Sequence, residues 1–252
     1  MAAIYTDLAG KIVLVTGGAS GIGEAIVRRF AQQKSIVVFF DIKVEDGEKL
    51  ARELTGEGFR AHFMKVDLTD IPALRAGIAD ARKTHGPINI LINNAAHDER
   101  HRTEDMTPEY WDDRIAVNLK HCFFASQAVL PDMQAAKAGA IVNFSSISWI
   151  SGQGGMAAYT TAKSGMLGLT RSLARDYGPD NIRVNAVAPG WIMTQRQIEK
   201  WLTPEAEKDL MKNQCLKRKL VPDEIAKVVV FLASDEASAC TSQHYVVDGG
   251  RT

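Results

Sequence analysis

Cysteine is scarce in this chain of 252 residues: Cys122, Cys215 and Cys240 are odd in number and widely spaced, which suits neither a disulfide framework nor a clustered metal site. Reduced thiols in a cytoplasmic protein are the expectation. A charge excess of either sign is missing as well. Thirty Lys and Arg offset thirty Asp and Glu, so no global field draws the chain onto nucleic acid or an anionic membrane. No apolar run approaches the ~18 residues of a spanning helix, and Met1 to Leu8 lack a basic start followed by an apolar stretch. Neither export nor membrane insertion is expected. Without a Pro/Gly/Ser-rich linker, low-complexity block or internal repeat, residues 1–252 read as a single domain. A small molecule is the partner left by these exclusions.

What is present is a 46% hydrophobic composition, enough for a sizeable core, arranged in short apolar runs. Ile12 to Val15, Ile36 to Phe40, Ala61 to Val66, Ile88 to Ile92, Ala140 to Phe144, Arg183 to Val187 and His244 to Val247 read as strands buried on both faces. Helical spacing of apolar residues marks Gly23 to Gln33, Glu45 to Leu54, Ile71 to Thr84, Pro108 to Ala136, Ala157 to Tyr177 and Pro222 to Leu232. Strand and helix alternate, which predicts an α/β fold: a doubly wound, Rossmann-type parallel sheet of about seven strands with helices on both faces. Trp191 to Val221 is too long and too charged for an ordinary connection and reads as an irregular lid over a substrate.

Between the first strand and first helix lies Thr16-Gly17-Gly18-Ala19-Ser20-Gly21-Ile22-Gly23. Such a turn lets backbone amides approach a pyrophosphate, and the helix N-terminus favours its charge. Tight turns need glycine for backbone reasons alone, so the loop acquires meaning only from its context. Asp41, at the end of the second strand, is placed to accept from the adenosine ribose hydroxyls and to repel a 2′-phosphate; a helix cap is its plain alternative. Ser20 brings no positive charge for that phosphate, although Lys43 is nearby, so NAD is favoured over NADP. Asp67 and Leu68 after the third strand, and Asn94 and Ala95 after the fourth, fall where adenine and the cofactor backbone would pass. Each is an ordinary turn sequence when taken singly.

Tyr159 and Lys163 are four residues apart on one helix face. A phenol with a reference pKa of about 10 becomes a usable base beside an ammonium, although Tyr and Lys at this spacing also occur by chance. Ser146, thirteen residues before Tyr159 at the end of the fifth strand, adds a hydroxyl at the same sheet edge.

Thr16 to Gly23, Asp67, Asn93 to Ala95, Asn118, Ser146, Tyr159-x-x-x-Lys163, Pro189-Gly190, Thr194 and Asp248-Gly249-Gly250 together resemble the short-chain dehydrogenases/reductases from end to end. The resemblance implies that Ser146 holds the substrate oxygen, Tyr159 exchanges its proton, Lys163 lowers the Tyr159 pKa and binds nicotinamide ribose, and Asn118 supports a water relay. It also implies cofactor contacts from Gly17, Gly21, Ile22, Pro189, Gly190, Ile192 and Thr194, and a homotetramer built on the helices around Asn118 and Tyr159 and the C-terminal strand. Ala96 departs from the family's usual glycine, a change the loop is expected to tolerate.

Residues around the expected pocket are polar: Asp98 to Arg102, Ser148, Gln153 and Arg196, with Trp149 as either a stacking wall or core. Polyols suit such a lining better than sterols or acyl chains, although charged loops are often simply solvated. His97 and His101 have no third ligand at convincing spacing, which argues against a metal. The segments Asp98-Glu99-Arg100-His101, Tyr110-Trp111-Asp112 and Ile147-Ser148-Trp149 resemble those of bacterial sugar dehydrogenases, implying oxidation of an aldose at its anomeric carbon to a lactone. Three alternatives are a dehydrogenase of keto-deoxy sugar acids, with Arg100 or Arg196 on the carboxylate, a 3-oxoacyl carrier-protein reductase, and an NAD-binding regulatory protein without turnover.

Overall fold

The computed structural model describes residues 3–252. Seven parallel strands, β1 (Ile12–Thr16), β2 (Ile36–Asp41), β3 (Arg60–Lys65), β4 (Ile90–Asn93), β5 (Gly139–Phe144), β6 (Ile182–Pro189) and β7 (His244–Val247), lie in the order β3-β2-β1-β4-β5-β6-β7. Successive side chains of a strand point to opposite faces, so the apolar runs of the central strands supply two cores at once, whereas the edge strands β3 and β7, expected to be buried on both faces, are only partly covered. Val13, Val15, Val37 and Phe39 face one side; Leu14, Val38 and Phe40 face the other. The first face is covered by α1 (Gly21–Gln32) and α9 (Pro222–Ala233), through Ile26, Phe30, Ile225 and Val229. Opposite them, α3 (Ile71–His85), α5 (His121–Ala136) and α6 (Ala157–Tyr177) bury Leu74, Ile78, Val129 and Leu173. Helix α2 (Val44–Gly56) completes the β2 to β3 crossover.

The strand order reverses direction between β1 and β4, which opens a crevice at their carboxyl ends, where doubly wound sheets bind ligands. Most boundaries shift by one or two residues from the sequence reading. Backbone pairing, not apolar content, sets the ends: Pro189 still pairs with Val247, so β6 runs past Val187, whereas Ile88 precedes the first paired residue of β4.

Two elements differ more substantially. The helix expected over Pro108 to Ala136 is α4 (Pro108–Ile115), a π turn (Ala116–Lys120) and then α5, with Asn118 inside the π turn. Such turns insert one extra residue without ending the helix, so apolar spacing hardly registers them. The supposedly irregular lid instead holds α7 (Gln195–Trp201) and α8 (Pro204–Asn213), each capped by a Thr side chain: Thr194 accepts from the Gln197 N–H at 3.3 Å and Thr203 from the Ala206 N–H at 3.2 Å. A bridge between Ile192 and Leu220 closes its base. Helices this short show little periodicity, and their caps were the readable signal.

Candidate active site

Where β1 and β4 end, the chain is tied together by polar groups. Thr16 Oγ1 accepts from the Asn94 and Ala95 N–H groups at 3.1 and 3.2 Å, and Asn94 Nδ2 donates to the Thr16 and Gly17 carbonyls, each at 3.0 Å. The loop that follows is folded so tightly that side chains are excluded. A Cβ on Gly23 would lie 1.8 Å from the Gly17 oxygen, and one on Gly17, whose φ is +68°, would lie 2.8 Å from Ala95 Cα. Gly21 has φ +61° and lies against the Thr194 methyl, and Ser20 occupies the N-cap of α1. The result is a bare backbone cradle at a helix N-terminus, the chemistry a pyrophosphate requires.

Asp41 points back into that cradle. Its carboxylate accepts from the Ala19 N–H at 3.0 Å and the Lys43 N–H at 3.1 Å, while the Lys43 ammonium lies 3.6 Å from Asp46. Asp67 is engaged in its own turn, accepting from Thr69 N–H and Oγ1 at 2.9 and 2.7 Å, and the Leu68 side chain is buried. The residues present fit a dinucleotide lying from Asp41 across the glycine cradle toward β5 and β6.

Beyond the cradle opens a cavity of about 570 Å³. Ser146, Ser148, Gln153, Tyr159 and Lys163 line it, as do Ile22, Asn94, Pro189, Gly190, Ile192 and Thr194. Ala96 also lines it without a left-handed φ, so its methyl group is accommodated. Lys163 is 1% exposed; its Nζ donates to the Phe144 carbonyl at 2.8 Å and lies 5.7 Å from the Tyr159 ring centre. Burial lowers its pKa to about 8, which still leaves it mostly ammonium near neutrality.

Tyr159 is the titratable group beside Lys163. Burial pushes its phenol up to about 12, the Asp98 carboxylate pushes the same way, and only Ser146 opposes them. The resting group is a phenol, a proton donor.

Several other residues occupy places that sequence alone left open. Asn118 is fully enclosed: its Oδ1 accepts from the His97 N–H at 2.8 Å, and its Nδ2 donates to the His97 and Arg114 carbonyls at 3.1 and 2.9 Å. That clamp fixes the loop carrying Asp98 and leaves one lone pair on Oδ1 for water. Arg196 lies off the cavity wall, 3.0 Å from Asp98 and 3.4 Å from Glu99, so its charge is matched by protein carboxylates. Trp149 is also off the wall. Its Nε1 donates to Ser145 Oγ at 3.1 Å and its ring stacks on His244, so packing beside β7 replaces the expected substrate contact. Residues that the sequence did not single out as site candidates, Trp201, Asp209 and Arg251, also line the cavity. Only the glycine pair before Arg251 hinted that the terminus turns inward.

Residues 17–252 match the family described as enoyl-(acyl carrier protein) reductase. A D-xylose 1-dehydrogenase from Caulobacter vibrioides is 47% identical over 98% of this chain and 98% of its own. A protein named probable galactose dehydrogenase GalD, from Rhizobium meliloti, is also 47% identical, over 98% of this chain and 96% of its own. The crystal structure of gox2181 superposes with a TM-score of 0.93 at 32% identity, covering 98% of both chains.

Proposed function

This chain belongs to the short-chain dehydrogenase/reductase family, an oxidoreductase family served by nicotinamide cofactors, and from that premise we propose that it oxidises a neutral aldose at the anomeric carbon to a lactone, using NAD. The observation that carries the proposal is the gathering of Ser146, Tyr159 and Lys163, with Ser146 hydrogen-bonded to Tyr159, in a cavity next to the glycine cradle.

When bound, an oxidised nicotinamide supplies the hydride acceptor and a positive charge. Ser146 steadies the sugar hydroxyl, Tyr159 as phenolate accepts its proton, and the buried Lys163 ammonium stabilises the negative oxygen. Gly17, Ser20, Gly21, Gly23, Asp41 and Asn94 hold the nucleotide, while Ile192 and Thr194 hold its nicotinamide end. Asp41 supports NAD over NADP, since a 2′-phosphate beside that carboxylate meets like charge, with the nearby lysine already next to Asp46. The same preference stands against a biosynthetic acyl carrier-protein reductase drawing on NADPH. Ser146, Tyr159 and Lys163 kept together speak against a protein that only senses NAD.

In this reading the protein works in the cytoplasm as a homotetramer. Phe123 on α5 is 43% exposed and Val246 on β7 is 42% exposed, apolar surface that an assembly through these elements would cover. No described helix is long and apolar enough to cross a membrane.

A panel of aldoses, aldonates, keto-deoxy sugar acids and acyl thioesters, each with NAD(H) and NADP(H), tests the proposal through nicotinamide absorbance. Lactone formation from an aldose with NAD is expected. Turnover confined to acyl thioesters or sugar acids overturns it.

A further inference from the structure

The cavity wall includes Arg251, one of the last residues of the chain. Asp248 fixes them: one carboxylate oxygen accepts from the Gly250 N–H at 2.8 Å and the other from Thr252 N–H and Oγ1 at 2.8 and 2.9 Å. Gly249 and Gly250 have φ of +68° and +76°, and their carbonyls accept from Leu216 and Cys215 N–H at 2.9 and 3.0 Å. This turn delivers Arg251 to the cavity wall beneath α8.

There Arg251 Nη2 lies 3.2 Å from Asp209 Oδ2, while Asp209 Oδ1 accepts from Asn213 at 2.7 Å. Both groups keep unused capacity. Arg251 Nη1 is enclosed and has no partner, and so is the Nε1 of Trp201, whose ring is covered by the Arg100 guanidinium at 4.0 Å. A carboxylate has about four acceptor sites, and Asp209, 56% exposed, has protein partners at two of them. An enclosed donor without an acceptor is unfavourable unless something else supplies one.

We infer that Arg251 and Asp209 form a specificity subsite for two neighbouring hydroxyls of the aldose, at the end of the sugar remote from the carbon being oxidised. Asp209 accepts from one hydroxyl and the guanidinium donates to the oxygen of the next, a matched donor and acceptor on a rigid turn. Because the two charges cancel, the subsite selects a neutral diol; a carboxylate placed there would face Asp209. The inference rests on the aldose reading above and adds which end of the sugar is read, and by which residues.

The test uses Arg251→Gln, Asp209→Asn and Arg251→Lys, with the best aldose of the wild-type protein and its monodeoxy derivatives. Each of the first two substitutions is expected to raise KM for the aldose roughly 10- to 100-fold with kcat within a few-fold, as for loss of a charge-assisted hydrogen bond. Arg251→Lys recovers part of the loss. One deoxy derivative has a high KM already in the wild type and gains little more in the variant, which identifies the contacted hydroxyl. Unchanged KM in both variants overturns the inference. So does an equal rise for every deoxy derivative, or a parallel rise in KM for NAD, which marks a collapsed cavity. Wild-type protein inactive on all aldoses removes the reading above and this subsite with it. Activity with unaffected variants removes the subsite alone.

Discussion

Two residues outside the reacting trio carry measurable consequences. Asp41 is directed at the glycine cradle by its hydrogen bond to Ala19, and replacing it with Ala removes both the ribose acceptor and the repulsion of a 2′-phosphate. The kcat/KM ratio of NADP to NAD is expected to rise at least about tenfold in Asp41→Ala. An unchanged ratio would assign Asp41 to turn geometry alone. His121 is fully enclosed at the start of α5, and burial, with the nearby Lys163 charge adding to it, lowers its pKa from 6.5 to about 4. Between these values the unfolded chain binds the proton and the folded one does not, so stability rises with pH through this window and is lost on acidification. Up to about 3 kcal/mol is at stake. Urea titrations at pH 4.5 and 7 are expected to show a smaller acid loss in His121→Gln than in the wild type; an equal loss would contradict the assignment. His121 was not legible in the sequence, because a lone polar residue in an apolar helix does not announce whether it is enclosed.

At the scale of elements, the glycine cradle depends on backbone contact more than on helix charge. Gly23→Ala brings a methyl group within 1.8 Å of the Gly17 oxygen, and only a backbone shift relieves that contact. A stability loss of about 1–3 kcal/mol is expected, together with a loss of NAD affinity measurable by fluorescence titration, while the circular dichroism spectrum stays that of the fold. Unaltered NAD binding would show that the cradle adapts. This loop was legible because its glycines sit between a strand and a helix, a context that spacing reveals. The π turn was not, since Ile115, Leu119 and Cys122 keep helical spacing across it. Nor were α7 and α8, where a charged surface conceals two turns or so of helix between Thr caps.

For the whole molecule, the alternation of apolar runs and helical stretches gave the parallel sense and approximate number of strands, the central runs being buried on both faces, but not their order in the sheet. Tyr159 and Lys163 could be paired from their spacing, and Ser146 from its strand end, since all three lie on elements that converge at one sheet edge. Arg251, Asp209 and Trp201 could not be assigned, as their proximity arises from the folding of the terminus against the lid helices, far apart in sequence. The same limitation misplaced Trp149 and Arg196, whose partners His244, Ser145 and Asp98 are set by tertiary packing. All of this turns on the Tyr159 oxygen carrying the proton exchanged during hydride transfer. Turnover of the best aldose with NAD is therefore to be compared between the wild type and Tyr159→Phe, alongside a direct measurement of NAD binding. A fall in kcat of about 10²- to 10⁴-fold with NAD binding retained is expected; turnover in Tyr159→Phe within a few-fold of the wild type would rule out that role for Tyr159.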